Sequence, residues 1–297
     1  MKKILKAALY IIAYTLIYMT IMILCQLIFG LLIGGAGGAL AELVAQGPQA
    51  TQEQLEETVF AVADKINDYV LMNTGIIFSI SALLSLLVFI RIFSARKINL
   101  FAEIRMDRRP SGADMRYGLF AGASANFLIS IIVMALQGLG LFKDAFLEHD
   151  THIEMTFGTG GMLPTLLGLG LIVPIVEEIM FRGIVTYELR QIAPWKAAII
   201  VQGVIFGLYH LVPVQICYTT PLGIYFGYIA YKSGAIWPAA AGHIAMNTVA
   251  ILLSTPFIAS IFEQSSFSLI FVILSIYMFI SSLIYFVRKK PVNIIPD

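Results

Sequence analysis

The stretch Ile172–Gly183, IVPIVEEIMFRG, sets two adjacent carboxylates and a guanidinium inside a run that is otherwise apolar. In a soluble helix this triplet would mark a solvated face. Its surroundings forbid that reading. Hydrophobic residues make up 59% of the 297 and charged residues only 12%, against roughly 25% charged in a soluble domain. Mean hydropathy is +0.87. A chain this poor in charge cannot clothe a globular surface, and it repeats apolar runs near the ~20 residues that a helix needs to cross a bilayer. The expected fold is all-α, a polytopic transmembrane bundle in the cell membrane, formed as one integral membrane domain over residues 1–297.

Apolar runs place about eight spans, near 5–33, 69–93, 117–142, 162–187, 195–212, 214–231, 235–255 and 268–287. The N-terminus opens like a signal peptide, with Lys2, Lys3 and Lys6, but its apolar stretch far exceeds the ~7–15 residues of a cleavable segment. It reads as a retained first span. Lys and Arg are kept preferentially on the cytoplasmic side. The N-terminal lysines, the Arg91–Arg116 cluster, Arg190 with Lys196, Lys232 and Arg288–Lys290 all fall on one side of eight crossings. Both termini are thus expected in the cytoplasm, with access to the protein from that basic side.

Outside the spans, residues 51–66 carry apolar positions at helical spacing behind Thr51 and Gln54, the sequence of a capped helix lying on the membrane. Gly34–Gly38 reads as a loop after the first span. Glu148–Glu154, EHDTHIE, reads as a solvated acidic loop. Cys25 and Cys217 sit in apolar runs and read as buried thiols. A net charge of +1 with scattered basic residues argues for no nucleic-acid partner.

An ionisable side chain inside hydrocarbon costs at least ~2.5–3.5 kcal/mol on insertion scales, so each one demands a reason. The strongly polar groups are few: Glu177, Glu178 and Arg182 in the fourth span, His210 in the fifth, and His243 with Asn247 in the seventh. Glu178 and Arg182 stand four apart, acid first, the favourable order for a helical ion pair. Glu177, about 100° round an α-helix, is expected to face a different neighbour. His243 and Asn247 share one face by the same spacing. With a rise of 1.5 Å per residue, Glu177 lies roughly 20 Å from Arg190 and His210 roughly 22 Å from Trp195. His243 and Asn247 lie roughly 13 and 20 Å from Gly234. One site built from three helices follows.

Two chemistries suit it. Glu177, His210 and His243 can hold a divalent metal such as zinc, with water in the fourth position. The same groups can instead work without metal, a carboxylate and a histidine deprotonating water while the other histidine and an amide steady an oxyanion. Phe181, Phe206 and Tyr209 read as packing.

The three clusters, EEIMFRG (Glu177, Glu178, Arg182), FGLYH (Phe206–His210) and HIAMN (His243–Asn247), resemble the EExxxR, FxxxH and HxxxN motifs of the CAAX protease and bacteriocin-processing family of intramembrane endopeptidases. The resemblance covers residues 163–254, the expected protease core. It implies that Glu177 activates water, Glu178 with Arg182 supports it, His210 assists, and His243 with Asn247 binds metal or stabilises the oxyanion. It implies hydrolysis of a peptide or protein with an apolar or lipidated segment, delivered through the lipid bilayer. The family is described both as metalloproteases and as glutamate-dependent enzymes without tightly bound metal.

Overall fold

The computed structural model describes residues 2–32, 51–140, 142–158, 160–255 and 265–292, with 41, 44, 45, 257, 258 and 260, and backbone alone at 265–268. The loop expected at Gly34–Gly38 lies outside these residues. Among them there is no β-strand, and each of the eight apolar runs is helical. They are α1 (Lys2–Leu32), α3 (Thr74–Ala95), α4 (Gly112–Gly138), α6 (Met162–Arg190), α7 (Trp195–Tyr209), α8 (Pro213–Ser233), α9 (Trp237–Leu253) and α10 (Ser265–Arg288). Five of them (α1, α3, α4, α6 and α10) are long and apolar enough to cross a bilayer, and α7 and α9 are apolar but shorter. The chain is a multi-pass integral membrane protein. Its lipid side is plain on α1 and α10, where Leu5, Leu9, Ile273 and Leu274 are exposed.

Two further helices lie between spans. The expected helix at 51–66 is present as α2 (Gln52–Met72), and Thr51 and Gln54 cap each other reciprocally at its start. It runs to Met72, so the following span begins at Thr74 rather than near residue 69; Asn73 separates the two. The expected loop at Glu148–Glu154 is a correction. Lys143–Ile153 is a helix, α5, running into a π turn at Glu154–Gly158. It forms because Phe146 and His149 are buried on its inner face, a docking that the charge-rich sequence conceals. Cys25 is buried as expected, but Cys217 is exposed.

Small residues set the tightest crossings, as they do where membrane helices pack backbone to backbone. A Cβ at Gly122 of α4 would fall on the carbonyl of Gly242 in α9, and one at Gly118 on that of Pro238. This contact fixes the depth of His243, the next residue. Gly122→Val should therefore lower thermal stability in detergent by at least the ~1–3 kcal/mol of an overpacked core, because the obstructing atoms are backbone. Gly112→Ala, with nothing within 4 Å, should leave the melting temperature unchanged. Equal melting of both would refute the close crossing.

The basic clusters gather at one end of the bundle. Arg96, at the end of α3, stacks 4.1 Å over Tyr10 of α1, donates to Tyr14 and pairs with Glu188 at the end of α6. Lys289, after α10, lies 2.9 Å from Asp114 at the start of α4. Arg105 and Arg190 both stack on Trp195 at the start of α7.

Candidate active site

α6 is not a regular helix. Its Val173–Glu178 segment is flanked by π turns at Gly168–Ile172 and Ile179–Val185. A π turn joins a carbonyl to the N–H five residues on. Five residues after Leu169 stands Pro174, which has no N–H to give. The Asn247 side-chain amide supplies the missing donor, 2.9 Å from the Leu169 carbonyl. One role of Asn247 is therefore to tie α9 to the irregular part of α6, a role that spacing alone does not reveal.

The three expected helices do converge. Glu178, fully buried, sits with one oxygen 3.0 Å from an Arg182 terminal nitrogen and 2.9 Å from His243 Nδ1. The Arg182 contact is an ion pair rather than an aligned hydrogen bond, since that nitrogen has no partner by hydrogen-bond geometry. Glu177 does not turn to a separate neighbour. Its Oε2 faces the other nitrogen of the same imidazole, His243 Nε2, at 3.7 Å. His243 thus bridges the two carboxylates; Arg182 pairs with Glu178 and not Glu177, as the helical offsets imply, while the shared imidazole is not implied by them. Two carboxylates and one guanidinium leave a single negative charge, and one proton held between Glu177 and His243 makes the cluster neutral. Neutrality matters at this depth, where unpaired charge is costly.

Phe206 does more than fill space. Its ring carries the Arg182 guanidinium at 4.2 Å and meets the edges of both His210 and His243. His210 ends α7, and its Nδ1 lies 2.9 Å from the Phe206 carbonyl. A carbonyl only accepts, so Nδ1 carries the proton and Nε2 of a neutral ring offers a lone pair.

Glu177, His210, His243 and Asn247 all line one cavity of about 640 Å³; Glu178 and Arg182 do not reach it and sit behind the wall. That volume lies within the ~300–1,000 Å³ of ordinary ligand sites. Asn126 of α4 lines it as well, donating to the Met246 carbonyl. It went unnoticed in the sequence, although an amide within an apolar span was the signal available. So did Gln202, fully buried and donating to the Gly223 carbonyl 2.8 Å away.

Access is a second correction. The cavity is walled by the far ends of α4, α7 and α9, by α5 and by the start of α8, with exposed Met134 and Leu211 at its margin. These lie at the opposite end from the basic clusters. His149 of α5 approaches Tyr218 at 3.3 Å and Asp150 at 3.1 Å, and Gln137 donates to Asp150 at 2.8 Å, so α5 is held across that end.

A metal at Glu177, His210 and His243 was the other arrangement expected. Among the described residues no group of three or more His, Cys, Asp or Glu side chains is gathered as a metal ion requires. His243 directs both nitrogens at carboxylates, whereas His210, with Nδ1 on a carbonyl, keeps Nε2 free. As arranged, the set offers a zinc ion one free imidazole nitrogen and the Glu177 carboxylate, short of the three protein ligands of such a centre.

Comparison with known proteins falls on the same segment. Residues 159–249 match the family model described as type II CAAX prenyl endopeptidase Rce1-like. A relative from Bacillus subtilis (strain 168), named "Putative membrane peptidase YdiL", is 29% identical over 93 residues. That alignment takes in 31% of this chain and 38% of the relative, so the chain spans little more than a third of the relative's length. No solved structure matches. All seven motif residues lie inside the matched stretch, residues 159–249, over which the chain is similar to that family.

Proposed function

We propose that the cavity is the active site of an intramembrane endopeptidase that hydrolyses peptide bonds in hydrophobic or lipidated, membrane-associated peptides. The observation that supports this most is the Glu177–His243 pair, 3.7 Å apart on the wall of a cavity large enough for a peptide segment. In this reading the shared proton rests on His243 and Glu177 is the general base. Glu177 takes a proton from water as the oxygen attacks the carbonyl carbon. His243 Nε2–H donates to the oxyanion, and the free Nε2 of His210 accepts the water's second hydrogen and orients it. Collapse of the tetrahedral intermediate breaks the C–N bond, and the proton held by Glu177 passes to the leaving amine.

Glu178 and Arg182 are positioning residues. Glu178 orients the His243 ring and stabilises its charge through Nδ1, and Arg182 balances Glu178. With the basic end placed in the cytoplasm by the positive-inside rule, the cavity faces the other side. An apolar substrate then reaches it laterally, past Met134 and Leu211.

The test compares native membranes carrying wild-type protein or Glu177→Ala at matched abundance, with new peptide termini catalogued by mass spectrometry. Termini present only with the wild type support proteolysis and identify the substrate class. Identical catalogues would overturn it in favour of a peptide-binding protein, and potential-dependent ion flux without new termini in favour of a transporter.

A further inference from the structure

A second cavity lies at the basic end of the bundle, about 90 Å³ in volume. That is well above the ~10–15 Å³ that one water needs. Arg105, Arg182 and Arg190 line it, with Trp195, Tyr231 and Glu103. Three guanidiniums thus border it beside one lining carboxylate, the exposed Glu103, and only Arg182 has a further acid, Glu178, behind it. The nearby Glu188 carboxylate is already taken by Arg96.

The arginines are placed with care and left short of partners. Arg105 and Arg190 stack on Trp195 at 4.8 and 4.6 Å. Arg105 holds a left-handed backbone, φ 62°, which a side-chain-bearing residue adopts at some cost. Arg190 gives one terminal nitrogen to the Ala193 carbonyl, but its buried Nε has no partner. The Nε of Arg182, a side chain more than nine-tenths buried, has none either. Burial pushes the Arg105 guanidinium down to about 10, with the charges of Arg108 and Arg190 adding to it. The opening helix turn of α7 borders the pocket, and Pro194 gives it no side-chain cap. The unpartnered nitrogens, the depressed Arg105 guanidinium and the uncapped helix start would each be relieved by an anion with several acceptor oxygens.

We propose that this pocket binds a phosphate group, held by Arg105 and Arg190 with Arg182 at its floor. Guanidinium forks match phosphate oxygens bidentately. A basic pocket between membrane helices at the cytoplasmic end suits the headgroup phosphate of an anionic lipid, and free phosphate offers the same chemistry. The site stands on the opposite side of Arg182 from the proposed catalytic cavity, and its existence does not depend on that activity.

The test uses the full-length chain purified in detergent, as wild type and as the Arg105→Gln/Arg190→Gln variant. Each is incubated with phosphatidylglycerol, phosphatidylcholine or inorganic phosphate, and bound ligand is counted by native mass spectrometry. The wild type should retain phosphatidylglycerol about tenfold or more over phosphatidylcholine, and the variant should lose that preference. Phosphate retained by the wild type alone, without lipid preference, would support the site with free phosphate as its ligand. Equal retention by both proteins of every probe would overturn it. If the double variant fails to fold, Arg105→Gln alone and Arg105→Lys serve. Lysine should keep part of the preference, and an Arg105→Gln protein binding like wild type would also overturn the proposal.

Discussion

Glu177→Gln, purified and reconstituted in lipid, should cleave a peptide substrate ~10²–10⁴-fold more slowly than wild type, the usual contribution of a positioned acid or base. The substitution keeps shape and removes only the basic oxygen. Among the described residues Glu177 makes no hydrogen bond, its ion-pair partner His243 lying 3.7 Å away, so the fold should hold, with a melting temperature near wild type. Substrate should still bind, since the cavity wall is otherwise intact, and the loss should appear in kcat rather than KM. A variant keeping more than a tenth of wild-type kcat would remove Glu177 as the base. Chelator treatment is the companion measurement. The proposed water activation uses no metal, so EDTA followed by dialysis should leave the wild-type rate unchanged. A loss restored by zinc would reinstate the metal reading of Glu177, His210 and His243.

Arg182→Met should be the most destabilising single change in the core. It leaves the Glu178 carboxylate fully buried with His243 as its remaining charged neighbour. Removing one partner of a buried pair typically costs ~3–5 kcal/mol. Loss of the guanidinium from the Phe206 face adds up to ~2 kcal/mol more. The expected result is a large fall in the folded, monodisperse fraction on size exclusion. Adding Glu178→Gln should restore most of that fraction, because the uncompensated charge goes with it. It should not restore cleavage, because a neutral glutamine no longer stabilises the charged His243 ring through Nδ1. Recovery of both together would mean that Glu178 serves stability alone. A single Arg182→Met variant as stable as wild type would show that the pair is not buried as described.

The motif residues and their convergence were legible because intramembrane charge is costly, and so few residues competed for attention. What stayed hidden has physical causes. Helical offsets put Glu177 and Glu178 on different neighbours, and Arg182 does pair with Glu178 alone, but one imidazole with two nitrogens reaches both carboxylates. Asn247 looked like a ligand because its bond to the Leu169 carbonyl follows from Pro174, seventy-three positions earlier in the chain. Phe206 looked like filler because aromatic rings say nothing of what stacks on them. α5 was hidden by its charges, since its helix owes its place to two buried side chains rather than to an apolar stripe. The side of access was misjudged because charge reports orientation, whereas a cavity is shaped by where helices splay.

The two π turns of α6 also carry a genetic consequence. Each holds one residue more than a regular turn accommodates, at sites where such irregularity often accompanies function. Loss of a codon is ordinarily ruinous in a membrane helix, since it rotates everything downstream. Within Ile179–Val185 it would instead let the helix close as an ordinary α-helix with both flanks still in phase. Such a frame-preserving deletion should be inherited as a protein that still inserts with both flanks in register yet, having lost the placement of Arg182 beneath Glu178, shares the instability expected of Arg182→Met. Three nucleotides would then test whether the helix register or the buried ion pair governs accumulation.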